Sequence, residues 1–145
     1  MLRPVIAALA AILLVAACGT AANPTTASDP SVAVDPAGQW RLAAGSVDGR
    51  QLVLPPDVPV TLVVEGSGVS GRSACNQYFG QFTIVDGRVT LGGLGGTEMA
   101  CEEPIMMLEA AYLAGLAKVD AARMDGTALV LTGPDVELRF ERAAS

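Results

Sequence analysis

The chain contains no histidine, and this absence removes several common chemistries together. Ser-His-Asp and Cys-His catalysis, the HExxH zinc helix and imidazole metal sites all require that side chain. Lysine is almost as scarce, because Lys118 is the only one, so Schiff-base or Ser-Lys chemistry would depend on a single residue. We therefore expect no enzymatic activity, no cofactor and no metal site.

Basic and aromatic residues are also few. The 145 residues carry 9 Lys and Arg against 15 Asp and Glu, which gives a net charge of -6. An acidic surface repels phosphate groups, so the charge argues against nucleic-acid binding and against attachment to anionic lipid through a basic patch. The length fits one small domain with a modest core.

The first 17 residues are typical of a bacterial lipoprotein signal peptide. Arg3 precedes Val5 to Val15, an uncharged run that is too short to span a bilayer but suits an export signal. Val15-Ala16-Ala17-Cys18 resembles the lipobox, in which the cysteine is lipidated and becomes the mature N-terminus. The alternative is an ordinary signal peptide cleaved near Ala17. We expect lipidation of Cys18, which would hold the protein on the extracytoplasmic face of the cell membrane.

Residues 18–37 are predicted to be a flexible linker behind the lipidated cysteine. Pro24, Pro30 and Pro36 lie among Ala, Thr, Ser and Asp, without aromatic residues or a sustained period. Such a segment cannot bury enough apolar surface to offset the entropy lost on ordering. The folded domain is therefore expected to cover residues 38–142.

Alternation of polar and apolar residues predicts antiparallel strands through most of this domain. The strand patterns cover 39–43, 51–54, 60–65, 81–85, 88–91, 121–124, 128–131 and 136–140, with Asp-Gly turns at 48–49, 86–87 and 125–126.

One segment has a helical period instead. Ile105, Leu108, Tyr112 and Leu116 recur at intervals of three and four, which predicts one amphipathic helix over residues 104–117. Glu109 and Lys118 lie outside the predicted buried stripe of the helix. The order of strands, one helix and strands indicates an α+β fold, a curved antiparallel β-sheet packed on a single amphipathic helix.

Six motifs, in this order and spacing, resemble the META domain, the family of the heat-shock protein HslJ. They are Trp40-Arg41-Leu42, the stretch 71–80 with its Cys-Asn-x-Tyr-x-Gly core, Gly96 to Cys101, the helical residues 108–113, and the closing Leu129-x-Leu and Leu138-x-Phe. The resemblance covers about residues 38–141. It implies a small antiparallel β structure with one helix. It also implies an envelope lipoprotein linked to stress tolerance, with no shared catalytic activity.

Two cysteines remain in the folded domain once Cys18 is lipidated. Export places Cys75 and Cys101 in an oxidising compartment, which predicts a disulfide between them. The alternative is a reactive thiol pair, but the chain has no CxxC motif and no histidine base, and only Arg72 lies near in sequence to lower a thiol pKa.

The other candidate sites each have a structural explanation. The glycine-rich residues 92–97 lack a P-loop ending and are predicted to form a tight β-connection. Glu102 and Glu103 suit a helix N-terminus, and the methionines suit apolar packing better than soft-metal binding. Asn76, Gln77 and Tyr78, beside Cys75, are the candidate ligand surface and are expected to be exposed, the alternative being turn hydrogen bonding and sheet packing.

Three function classes follow from these observations. The first is a non-enzymatic envelope lipoprotein with a binding or stress-related role. The second is a small inhibitor or ligand-binding module that acts on an envelope protein, with the acidic charge steering a basic partner. An enzyme comes third. An exposed apolar patch would favour the second class, because monomers seldom leave a large one uncovered.

The lipid anchor makes the first prediction. Because acyl chains on Cys18 would supply the membrane affinity, Cys18→Ala is expected to move the protein from the detergent phase to the aqueous phase of a Triton X-114 partition. Retention of this variant in the detergent phase would exclude lipidation at Cys18 as the anchor.

Overall fold

The structure, a computed structural model, describes residues 34–85 and 88–144. The predicted signal peptide, Cys18, most of the linker and the turn at Asp86-Gly87 lie outside the described residues. The α+β prediction is confirmed. The elements are β1 (Gly38–Val47), β2 (Arg50–Gln51), β3 (Thr61–Glu65), β4 (Gly68–Arg72), β5 (Gln77–Val85), β6 (Arg88–Gly96), α1 (Glu103–Leu116), β7 (Ala121–Asp125), β8 (Ala128–Gly133) and β9 (Val136–Arg142).

The strands form one antiparallel sheet in the order β6-β5-β4-β3-β1-β9-β8-β7, and β2 pairs with β1 outside this order. Register shifts between Leu42 and Ala44 in β1, and between Phe79 and Gln81 in β5, mark bulges that bend the strands. The sheet curls into a half-barrel whose ends approach each other. There the Val89 amide donates to the Asp120 carbonyl at 2.9 Å.

Helix α1 packs inside the curl, and the core lies between the helix and the sheet. Trp40, Tyr112 and Phe140 are completely buried at its centre. The Trp40 indole N–H donates to the Pro36 carbonyl at 2.8 Å, and the Arg142 guanidinium lies 4.1 Å from the centre of the indole ring. The indole therefore buries its apolar body with its one donor satisfied.

The sheet differs from the prediction in several places. β1 continues to Val47, β2 ends at Gln51 and β5 begins at Gln77. β4 was not predicted as a strand, because its glycines and serine lack the usual composition. The glycine-rich residues 92–96 were predicted as a tight connection, and this is wrong, since they extend β6. Gly95 and Gly96 pair with Phe79 and Tyr78 of β5. A Cβ on Gly95 would come within 3.3 Å of the Phe79 ring, so glycine leaves room for that ring to lie over the strand.

Ala74 has a backbone conformation that favours glycine. Its φ is +109°, and it lies buried in the turn between β4 and β5. A non-glycine residue in such a region costs on the order of 1–3 kcal/mol. The turn is held in place by the disulfide and hydrogen bonds described below.

This strain predicts an unusual response to Ala→Gly substitution. At a buried strand position with ordinary φ, such as Ala128, the change should cost about 1.5 kcal/mol through chain entropy and a lost methyl group. At Ala74, relief of strain should offset that cost, so Ala74→Gly is expected to be neutral or to stabilise by about 1 kcal/mol. Chemical denaturation of both variants measures the difference, and equal destabilisation would rule out strain at Ala74.

Candidate functional site

The stretch around Cys75 is joined to the segment before α1 by a disulfide. Cys75 and Cys101 are bonded, with their Cα atoms 6.0 Å apart and a sequence separation of 26. Cys75 is buried, whereas Cys101 is exposed. A bond that closes a loop of this length restricts the unfolded chain and contributes about 3.5 kcal/mol on the chain-entropy model. The disulfide fixes the turn after β4 beside the start of the helix.

Next to the disulfide, Glu109 of α1 binds the turn at residues 73–76. One carboxylate oxygen, Oε2, accepts from the Ser73 hydroxyl and from the backbone N–H of Asn76, each at 2.7 Å. The other, Oε1, accepts from Asn76 Nδ2 at 2.8 Å. Glu109 is only 7% exposed, so its predicted position off the buried stripe is wrong. Burial of the carboxylate is tolerated because these donors replace water.

Asn76 extends the same network to the segment after β6. Its Oδ1 accepts from the Met99 amide at 2.6 Å and from the Thr97 hydroxyl at 2.8 Å. Its Nδ2 also donates to the Met99 carbonyl at 3.1 Å. One buried side chain thus joins the helix, the β4–β5 turn and the segment after β6 that leads to Cys101. We call Ser73, Asn76, Thr97 and Glu109 the polar clamp.

The hydrogen bonds of the clamp determine the charge of Glu109. Burial alone would raise its pKa, but the hydrogen bonds from Ser73, Asn76 and the backbone of the turn outweigh burial and hold the pKa below its ordinary value of 4.5. Glu109 is therefore ionised at neutral pH, and it forms no salt bridge with any residue that the structure describes. A buried carboxylate whose oxygens are occupied in this way is a structural anchor and is badly placed for general acid–base catalysis.

Two tyrosines continue the buried polar contacts. The hydroxyl oxygens of Tyr78 and Tyr112 lie 2.9 Å apart, and the Tyr78 hydroxyl donates to the Thr61 carbonyl at 2.9 Å. Their rings meet edge to face at 5.8 Å between centroids. Burial raises the pKa of both hydroxyls well above the usual range, so both stay protonated.

Of the three residues predicted as a ligand surface, only Gln77 is exposed. Asn76 and Tyr78 are 5% and 3% exposed, and their polar atoms are occupied by the contacts just described. Their expected exposure is therefore wrong, because the alternation of β5 turns Tyr78 inward and the clamp holds Asn76. Gln77 lines a shallow depression of about 450 Å³ on the outer face of the sheet, together with Arg72 and Phe79.

A larger groove, which the sequence reasoning missed, lies between α1 and the segment that follows β1. Its volume is about 730 Å³, within the range of ligand-binding sites. Its lining is mostly apolar: Val47, Leu52, Val53, Pro104, Met107, Leu108, Ala111 and Ala114, with Asp48, Arg50 and Gln51 contributing the polar part. Val53 is 81% exposed and Met107 is 66% exposed, so two large apolar side chains of the groove contact solvent.

A signal for this groove was present in the sequence. Pro104, Met107, Ala111 and Ala114 form a second apolar row on the helix at spacings of three and four, separate from the row that enters the core. A helix with two apolar rows has more apolar surface than one core can cover. The second row therefore indicated an uncovered helix face.

No group of three or more Cys, Asp or Glu side chains in residues 34–85 and 88–144 is arranged to hold a metal ion. Within the same ranges, no helix combines the length and the hydropathy needed to cross a bilayer.

The polar clamp predicts how stability depends on pH. Because the folded-state pKa of Glu109 is lowered, its contribution is complete above about pH 4.5 and is lost as the pH falls through the folded-state value. Glu109→Gln should reduce the free energy of unfolding at pH 7 by about 2–4 kcal/mol, since an amide nitrogen would face the donors of Ser73 and Asn76.

Denaturant titrations between pH 7 and pH 3 measure this effect. The stability difference between wild type and Glu109→Gln should shrink as the pH falls below 4.5. Glu103→Gln, at an exposed position on the first turn of the same helix, serves as the control and should change stability by less than about 0.5 kcal/mol. A difference that does not depend on pH would contradict an ionised Glu109.

Comparison with solved structures gives relatives of the same fold. A protein from Burkholderia xenovorans, solved by NMR, is 30% identical with a TM-score of 0.63, over 85% of this chain and 100% of its own. A DUF4847 family protein from Bacteroides vulgatus ATCC 8482, in a crystal structure, is 11% identical with a TM-score of 0.53, over 75% of this chain and 94% of its own. The second likeness shows the fold alone.

No curated protein matches this chain. The model of the META domain family matches residues 33–145, which is most of the chain and includes both the polar clamp and the groove. The resemblance of the sequence motifs is confirmed: the chain belongs to the META domain family.

Proposed function

We propose that this protein is a non-enzymatic binding module of the bacterial envelope, anchored by lipid on Cys18, whose groove holds an apolar segment of another envelope protein. The observation that carries the proposal is the open groove of about 730 Å³ beside α1, with its exposed apolar side chains. The signal-peptide and lipobox patterns support the location. Of the function classes considered, the binding module fits this surface best.

The exposed side chains of the groove support a protein partner. Val53 and Met107 lie on opposite walls, and burying both would remove a large part of their apolar surface from water. Full burial of one such side chain contributes about 1.5–3 kcal/mol. Methionine also adapts its shape to different partners, as at other surfaces that bind varied apolar segments. The groove thus suits recognition of an apolar segment.

A role under envelope stress is consistent with the same groove. Proteins that lose their structure expose apolar segments that are normally buried, and a groove lined by Val53, Met107 and Ala111 would bind such segments. Val34, Pro36 and Ala37 contact the domain, so a linker of residues 18–33 would let it reach up to about 55 Å from its anchor. Partners would then lie at the membrane surface or close to it.

Site-specific photocrosslinking in intact cells tests the proposal. A photoreactive amino acid in place of Val53 should form an adduct that maps to one apolar segment of an envelope protein. Ala111→Phe fills the groove and should abolish that adduct. Ala110→Phe, on the neighbouring exposed helix position outside the groove, is the matched control and should preserve it.

The thermal unfolding midpoint of both variants checks that the fold is retained. Two results together would contradict a binding role for the groove. The adducts would be spread over many abundant proteins, and a folded Ala111→Phe variant would form them at the same level.

A further inference from the structure

One wall of the groove is the edge of a strand and not only a row of side chains. Four consecutive residues, Arg50 to Val53, all line the groove. In an extended segment, successive side chains point to opposite faces, so side chains alone would place every second residue in the lining. The whole run can line one cavity only if its backbone edge faces that cavity.

The hydrogen bonds between β1 and β2 show which backbone groups point outward. Val47 is opposite Arg50, Ser46 is opposite Gln51, and the Leu52 amide donates to the Gly45 carbonyl at 2.8 Å. In an antiparallel pair, hydrogen-bonded and non-hydrogen-bonded positions alternate. The N–H and C=O groups of Arg50 and Leu52 therefore face β1, while those of Gln51, the last residue of β2, face away from it.

No described strand covers this edge, since β2 pairs only with β1 among residues 34–85 and 88–144. An uncovered edge with outward donors and acceptors is a template for one more strand. The opposite wall is the helical row of Pro104, Met107, Ala111 and Ala114. The small side chains of Ala111 and Ala114 leave space between the strand edge and the helix for the side chains of an added strand.

From this geometry we propose that the occupant of the groove is an extended peptide segment that adds as a strand to the edge at residues 50–53. This inference rests on the proposed function, because it specifies how the partner segment binds. Gln51 exchanges main-chain hydrogen bonds with the peptide. Alternate apolar side chains of the peptide pack between that edge and Met107 and Ala111, in the manner of strand addition.

The charges at one end of the groove add a preference within the peptide. Asp48 is already paired with Lys118, at 2.6 Å between Oδ1 and Nζ. Arg50 is exposed and forms no salt bridge with any described residue. A carboxylate on the peptide next to Arg50 would complement this cation, so the segment has an acidic residue at that end of an alternating apolar run.

Two substitutions at one position separate main-chain from side-chain recognition. Gln51→Pro removes the outward N–H of the edge while it leaves the hydrogen bonds to β1, and proline is tolerated on sheet edges. Gln51→Ala removes the same side chain but keeps the N–H. The probe is a library of random peptides displayed on phage, selected on the full chain reconstituted in phosphatidylcholine vesicles.

The selected peptides should share alternating apolar residues with an acidic residue at one end. Gln51→Pro should weaken their binding about tenfold, and Gln51→Ala by less than about twofold, as expected for a lost main-chain hydrogen bond. N-methylation of the central peptide amides should weaken binding in the same way, because it removes the donors of the peptide. Arg50→Ala should reduce the preference for the acidic residue.

The outcomes distinguish this inference from the proposed function. Strand addition would be overturned by peptides whose binding is lost in Ala111→Phe but is unchanged by Gln51→Pro and by N-methylation. The groove would then remain a binding site. If the wild type is folded and no selected peptide loses binding in Ala111→Phe, both strand addition and the proposed binding role of the groove are overturned. Thermal unfolding midpoints within a few degrees of wild type establish that Gln51→Pro acts on binding.

Discussion

The contact between the Glu109 carboxylate and the turn at residues 73–76 is the constraint on which the rest of the domain depends. It joins the only described helix to the turn between β4 and β5, and Asn76 extends it to the segment after β6. The Cys75–Cys101 disulfide reinforces the same junction from the side. Because α1 is also a wall of the groove, these contacts set the distance between the helix and the strand edge opposite it.

The two faces of α1 have different physical tasks. Leu108, Tyr112 and Leu116 enter the core and supply the apolar burial that holds the helix on the sheet. The outer row contains two alanines, a proline and an exposed methionine, which neither complete a core nor provide a charged surface. Gly115 lets the helix approach β1 closely, because a Cβ there would lie 2.7 Å from Val47 Cγ2. Val47 and Ala114, at this close contact, also line the groove.

The features predicted from the sequence are those that local chemistry determines. The Asp48-Gly49 hairpin and the period of α1 are encoded within a few residues. The structure places α1 and the starts of β1 and β2 within one residue of expectation, whereas β1 continues to Val47 and β2 ends at Gln51. The family resemblance depended on motif order, and the match over residues 33–145 confirms it.

The features that were missed depend on partners far along the chain. Glu109 is buried because its donors are 33 to 36 residues away, and no rule based on helical spacing alone includes them. The extension of β6 through Gly95 and Gly96 depends on backbone pairing with Phe79 and Tyr78 of β5. Asn76 and Tyr78 were expected to be exposed, but their polar atoms bond to partners that lie 17 to 34 residues away in the sequence.

The chemistry of the clamp also bears on why the groove is suited to binding. An apolar residue at position 109 could pack with the core in several helix rotations, and replacing buried charges by apolar groups often increases stability. A carboxylate held by three donors of fixed direction permits one rotation and one depth of the helix. That rotation presents Met107 and Ala111 to the strand edge before any partner arrives. The cost of ordering the groove is therefore met during folding, and a peptide that binds there loses mainly its own freedom.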